Sequence, residues 1–205
     1  MAAKPSVKGS LLAETVENAR KLLEEGSLSR SELEARLRPG DLALFDEPTN
    51  VSRWYDLEFY QRLAELLHDL EGGPRDEYFR KKGFARGRRL MEAGLYQQME
   101  YAERSRLARE RDPKARFEAY GRDLKLYVTL SAAILNFSRW SVTRDPDHPD
   151  RYRIEVRDAT DFPDFLGWGA EGLMNAMASR HGLAELWRYE RFASDFVVFR
   201  MLEAA

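Results

Sequence analysis

The sequence predicts an α+β chain, with N-terminal helices packed on a C-terminal four-stranded antiparallel sheet in ββαββ order. Three observations predict it. Residues 137–143 (FSRWSVT) and 151–156 (RYRIEV) alternate apolar and polar side chains around the turn-forming DPDHPD, as the arms of a hairpin do. Two more short runs, 184–189 and 196–201, follow a glycine-spaced helical stretch. Before Phe137 the regular stretches repeat at helical spacing.

The elements follow in order. Residues 10–25 place Leu12, Val16, Ala19 and Leu23 on one helical stripe, and Gly26 stops it. Ser29 or Ser31 caps a short helix through Leu37, with Glu32 or Glu34 three positions on, and Pro39-Gly40 ends it. Residues 41–52 read as irregular. Residues 54–70 form a helix with Leu57, Tyr60, Leu63, Ala64 and Leu67 on one side, broken by Gly72-Gly73-Pro74. Helices are expected over 76–95 and 96–111, and Asp112-Pro113 breaks the second. The stretch 117–135 is the most apolar and reads as the buried central helix. A last helix over 162–180 should cross the sheet, covering one of its faces.

Composition bounds the rest. At 205 residues the expectation is one domain over 1–205, with a helical extension (1–52), a helical part (53–136) and the ββαββ part (137–205). Hydrophobic residues make up 43% and charged ones 33%, which favours folding over disorder. A net charge of −2 gives no global drive toward nucleic acid. The absence of cysteine excludes disulfides, thiolate metal sites and cysteine nucleophiles. No apolar run is long enough to span a membrane, and the opening MAAKPSVKGSLLAETVENARK lacks the apolar core of a signal peptide. The expected location is cytoplasmic.

No catalytic signature stands out, so no catalytic residue is assigned. His68 sits near a helix end. His148 lies among Asp145, Asp147 and Asp150 in a turn, a hard-metal pattern that ordinary turn chemistry also explains. His181 before Gly182 reads as a helix cap. None has the paired spacing of a zinc helix, and no cofactor or metal is expected. Arg80, Lys81, Lys82, Arg86, Arg88 and Arg89 read as a solvated face, since Glu77 and Glu92 are interspersed. Glu171, Glu185 and Glu190 look like single acids without evident partners.

Two apolar sets remain. Trp140, Phe165, Trp168, Met174, Met177 and Trp187 are aromatic and flexible side chains that suit either a packed core or an apolar ligand cavity between sheet and helices. Leu57, Leu63 and Leu67, with Gly83 and Gly87 four residues apart, offer more apolar helix surface than one small sheet covers. They are the expected homodimer interface, although glycines at that spacing equally suit a tight packing contact.

Three segments carry a resemblance. VKGSLLAETVENARKLL, WYDLEFYQRLAELL and the tail from FSRWSV through FVVFRML resemble a myxobacterial paralogous domain family of this length. The tail also resembles the ligand-binding fold shared by haem–nitric-oxide sensors, vinyl-reductase-type sensor domains and TRAPP vesicle-tethering subunits. The resemblance implies a non-enzymatic sensing or protein-docking module, often dimeric, with an unidentified signalling partner and a small apolar ligand. The clustered cysteines of vinyl-reductase-type domains are missing from YERFASDFVVF. No haem-ligating histidine motif matches, so haem is not carried over. The alternative is a pure scaffold resembling TRAPP subunits, with no ligand. A haem-based gas sensor is the third reading.

Overall fold

A computed structural model of the chain describes residues 4–92, 113–179 and 185–204. The chain divides into two units, one running to Pro74 and including Ala133–Phe137, the other taking Arg75–Ala132 and Ser138 onward. The expected helix over 96–111 lies outside the described residues.

The first unit begins with β1 (Ser6–Lys8), which pairs antiparallel with β2 (Trp54–Asp56) in the register Val7 to Tyr55. Helix α1 (Gly9–Glu24) starts at a glycine because a Cβ there would collide with the Asn50 carbonyl. Its first amides are satisfied by that same loop. Gly9 N donates to Arg53 O at 2.9 Å and Ser10 N to Val51 O at 3.0 Å. Helix α2 (Arg30–Arg36) carries the expected capping box, with Glu32 N donating to Ser29 Oγ and Ser29 N to Glu32 Oε2.

Helix α3 (Pro39–Asp46) corrects the irregular reading of 41–52. Pro39 opens this helix and does not merely end the previous one, because its missing N–H costs nothing at the first helical position. The Asp41 carboxylate then accepts from Arg38 N at 3.0 Å and from Arg62 Nε at 2.8 Å. Helix α4 (Leu57–Glu71) starts three residues later than expected, because Trp54–Asp56 is drawn into the strand pair. Leu12, Val16 and Ala19 of α1 and Phe59, Leu63 and Leu67 of α4 form the core. The N-terminal helices thus build their own core with a two-stranded sheet, which the sequence reading did not include.

The second unit holds α5 (Arg75–Glu92), α7 (Asp164–Ser179) and, as far as Ala132, α6 (Pro113–Ile134). Its strands are β3 (Arg139–Arg144), β4 (Tyr152–Arg157), β5 (Trp187–Ala193) and β6 (Phe196–Met201). They form an antiparallel sheet in the order β3-β4-β6-β5. One face carries Val142, Ile154, Phe199 and Tyr189 in a single cross-strand row, because half-buried strands alternate. Helices cover that face: a Cβ at Gly167 of α7 would strike the Tyr189 ring, and one at Gly121 of α6 would strike the Tyr152 hydroxyl.

Candidate functional site

Helix α7 is the element that organises the second unit. Its sequence, DFLGWGAEGLMNAMAS, spaces glycines among large apolar residues. Gly83 of α5 lies against the Gly169 backbone, Gly172 lies against the Arg80 carbonyl, and Gly87 meets Ala176. No side chain larger than hydrogen fits at Gly83 or Gly172 without a shift, so the two helices approach backbone to backbone.

That close approach buries Glu171, which is 1% exposed. Its carboxylate accepts from Arg80 Nε at 2.8 Å, from Arg188 at 3.3 Å and from the Tyr189 amide at 2.9 Å. A buried carboxylate persists only when paired and hydrogen-bonded, and this one joins α5, α7 and β5. One turn on, Asn175 brackets Trp187. Its Nδ2 donates to Trp187 O at 3.0 Å and its Oδ1 accepts from Trp187 N at 2.7 Å. Strand β5 is an edge strand. Glu171 and Asn175 therefore satisfy backbone groups that an open edge would leave to another chain.

At the start of α7, Asp164 accepts from the Tyr189 hydroxyl at 2.5 Å and from Arg191 Nε at 2.8 Å. Burial and then the Asp164 carboxylate hold the Tyr189 phenol protonated well above its usual range. Burial pushes the Asp164 carboxyl up, but the bonds from Tyr189 and Arg191 outweigh it and leave it below the ordinary carboxylate range.

An aromatic run threads between these helices and the sheet. Phe79 lies 5.4 Å from Phe165 and 6.4 Å from Trp168, ring centre to ring centre. Trp168 lies edge-on to Tyr189 at 6.4 Å, Tyr189 meets Phe199 at 5.6 Å, and Phe199 stacks on Trp140 at 5.6 Å. Phe162 closes the far end against Trp140 at 5.9 Å.

The residues expected to line an apolar cavity are all in this unit. Phe165, Met174 and Trp187 are buried, while Trp140, Trp168 and Met177 are half-buried. The structure places other rings between them: Phe79, Tyr189 and Phe199 separate Trp140 from Phe165 and Trp168. Tyr189 and Phe199 belong to the same aromatic-rich C-terminal stretch of the sequence, whereas nothing near Phe79 joins it to the set.

The residues expected at a homodimer interface have neighbours within the single chain. Leu57, Leu63 and Leu67 are buried inside the first unit of a single chain, and Gly83 and Gly87 are covered by α7. Their apolar surface packs within one chain.

Glu171 is a correction. It is not a single acid without a partner, and its setting explains why: one carboxylate in the middle of an apolar, glycine-spaced helix has to be paired. Of the expected solvated basic run, Arg80 turns inward to Glu171. Lys81 and Arg88 pair with Glu77 and Glu92 one helical turn away.

Two of the three histidines lie among the described residues. His68 Nε2 lies 3.1 Å from Gly73 O. His148 is exposed in the β3–β4 turn, where Asp145 Oδ1 accepts from Asp147 N at 2.9 Å, the bond of an Asx turn. His181 lies outside the described residues.

No protein-family model matches the chain, and no curated protein matches it. A solved mutant of T. tengcongensis H-NOX is similar at 11% identity, over 97% of this chain and 99% of that one, with a TM-score of 0.49. A likeness at that level says nothing here about ligand, cofactor or partner. No helix among the described residues is long and apolar enough to cross a membrane.

Proposed function

We propose that this chain is a non-enzymatic module that acts through protein contacts, with its sheet–helix interior filled by its own side chains. The observation that carries this reading is the aromatic run from Phe79 to Phe162, in which each ring touches the next where a ligand would otherwise lie. It is the scaffold reading that the resemblance to TRAPP subunits implies.

The buried polar groups support a non-catalytic role. General acid–base work needs a group with a proton to exchange at a reachable atom. The Glu171 carboxylate is taken up by two guanidiniums and an amide, and the Tyr189 hydroxyl is committed to Asp164. The module is proposed to work without metal or haem: His68 Nε2 lies against the Gly73 carbonyl, and His148 stands exposed in a polar turn away from any apolar slot.

Native mass spectrometry of freshly purified protein tests the reading. The expected mass is that of the chain, or a whole multiple of it. A stoichiometric added mass would overturn it in favour of an apolar ligand-sensing role. That second reading has one observation on its side: Trp140 and Trp168 are only half-buried, so the run is reachable from solvent at those rings. A Soret band in the purified protein would instead place the chain among haem proteins.

A further inference from the structure

The second face of the four-stranded sheet is unlike the first. The register brings Arg139 opposite Arg157, and Arg153, Arg200 and Arg188 opposite one another across three strands. Glu155 and Glu190 are the acids that these strands place on that face. Like charges directly opposite one another destabilise a sheet, so this pattern works against folding. The compensating acids lie mostly off the strands. Arg139 pairs with Asp158, and Arg200 reaches Asp145 and Asp147. Arg200 Nε faces the buried Asp145 carboxylate at 3.5 Å, and Arg153 Nε is buried without a hydrogen-bond acceptor among the described atoms.

One end of this face is exposed and aromatic. Arg139 and Arg157 side chains are 77% and 59% exposed, and Phe192 is 57% exposed. The β5–β6 register shifts between Arg191 and Ala193, so Phe192 is the extra residue of a bulge. Bulges re-aim side chains, and this one sets Phe192 beside Phe196, 6.0 Å between ring centres. The Arg157 guanidinium lies 4.7 Å over the Phe196 ring, and that of Arg200 lies 5.9 Å from Phe192. Arginine and aromatic residues held rigidly together are the composition of protein-binding hot spots.

We propose that the Arg139–Arg157–Phe196–Phe192 end of this face docks a protein partner through a segment that flanks an apolar side chain with carboxylates. Charge selects this occupant. A second copy of the chain would set arginine rows against arginine rows, which disfavours self-association here. A nucleic acid would bring a phosphate at every residue against Glu190, Asp147 and Asp158, which are 42%, 66% and 58% exposed. A peptide can place its acids on the arginines and its apolar residue on Phe192 while leaving those rim acids in water.

This proposal rests on the reading of the chain as an interaction module, and its test is separate from the native mass. The full chain is titrated against three fluorescently labelled probes at low and high salt: the peptide EEDLFDEE, its lysine counterpart KKKLFKKK, and a twelve-residue oligothymidylate. Anisotropy should rise for the acidic peptide, and more at low salt. Phe192→Ala and Arg157→Gln should each weaken that binding by about fivefold or more, with circular dichroism spectra unchanged. Arg139→Gln, which touches neither phenylalanine, gives an independent third measurement. Equal binding of the acidic and lysine peptides, acidic binding that none of the three variants weakens, or no acidic binding at all overturns the proposal. Tighter binding of the oligothymidylate, lost in the same variants, overturns it in favour of a phosphate-reading surface. The first two of these outcomes, and absence of binding, leave the native-mass test of the module reading untouched.

Discussion

On one face of the four-stranded sheet a cross-strand row reads Val142, Ile154, Phe199, Tyr189. One residue along the same strands, on the other face, a row reads Thr143, Arg153, Arg200, Arg188. The first row lies under helices brought close by glycine. The second is held by ion pairs that reach solvent. Two buried carboxylates show the same contrast. Glu171, beneath α7, binds two guanidiniums and a backbone amide, while Glu155 binds the Arg153 and Arg157 side chains alone. The helical side should therefore carry most of the stability, and substitutions ranked from it to the open side test that division.

Glu171→Ala should have the largest effect. It leaves the Arg80 and Arg188 charges and the Tyr189 amide without their shared acceptor, at a cost of about 3 kcal/mol. That is the low end for removing one member of a buried pair, because both arginines still reach water. Urea unfolding measures it, and a loss below about 1 kcal/mol would show that α7 is not held to β5 by this carboxylate.

Gly172→Ala comes next. The new methyl group meets the Arg80 carbonyl, which is backbone and cannot swing aside. Overpacking of this kind costs about 2 kcal/mol. The control is Gly40→Ala, where no atom lies within 4 Å of the added Cβ and little change is expected.

Asn175→Ala removes both bonds to the Trp187 backbone. Leaving two buried groups on an edge strand unsatisfied costs about 1–2 kcal/mol. The variant should also aggregate faster on storage, read by light scattering, because an uncovered edge strand templates pairing. Lost stability without faster aggregation would mean that Asn175 holds α7 in place but does not shield the edge.

Asp164→Asn tests the pH dependence. The Asp164 carboxyl titrates below its ordinary value in the folded chain. Its stabilising contribution is therefore present above about pH 4, the unfolded value, and is lost as pH falls through the folded one. The wild type should exceed the variant in urea midpoint at pH 7, and the gap should close toward pH 3. A gap that widens on acidification would contradict the bonds drawn from Tyr189 and Arg191.

Much of this sheet was legible in the alternation of its residues, since strands with one buried face advertise which side chains point inward. The run 196–201 coincides with β6, and β3 and β4 start within two residues of their expected positions. Strand β2 was not legible. Its three residues run straight into the apolar stripe of α4, so helical periodicity absorbed them. Helix α3 was hidden because Pro39-Gly40 reads as a stop, although proline fits a first helical turn equally well. For the candidate site, the six aromatic and methionine residues all fall in the second unit. Whether they enclose space depends on Phe79 and Phe199, which are 120 residues apart in sequence. Glu171 was visible as a lone acid in an apolar helix, yet nothing in its neighbourhood names Arg80, 91 positions earlier, as its partner.

The smallest effect is expected on the open face, at Arg139. Its side chain is 77% exposed and pairs with Asp158, itself 58% exposed. Exposed ion pairs contribute from nothing to about 1 kcal/mol, because water already solvates both charges and ordering two long side chains costs entropy. Arg139 also stands opposite Arg157, so removing it relieves a like-charge contact while breaking the ion pair. These two changes oppose each other, and Arg139→Ala should lie within about 0.5 kcal/mol of wild type in urea unfolding. Raising the salt should shift wild type and variant alike, since little net electrostatic energy is at stake. A loss of about 2 kcal/mol or more would mean that Arg139 is structural, and the contrast between the two faces would no longer be one between stability and recognition.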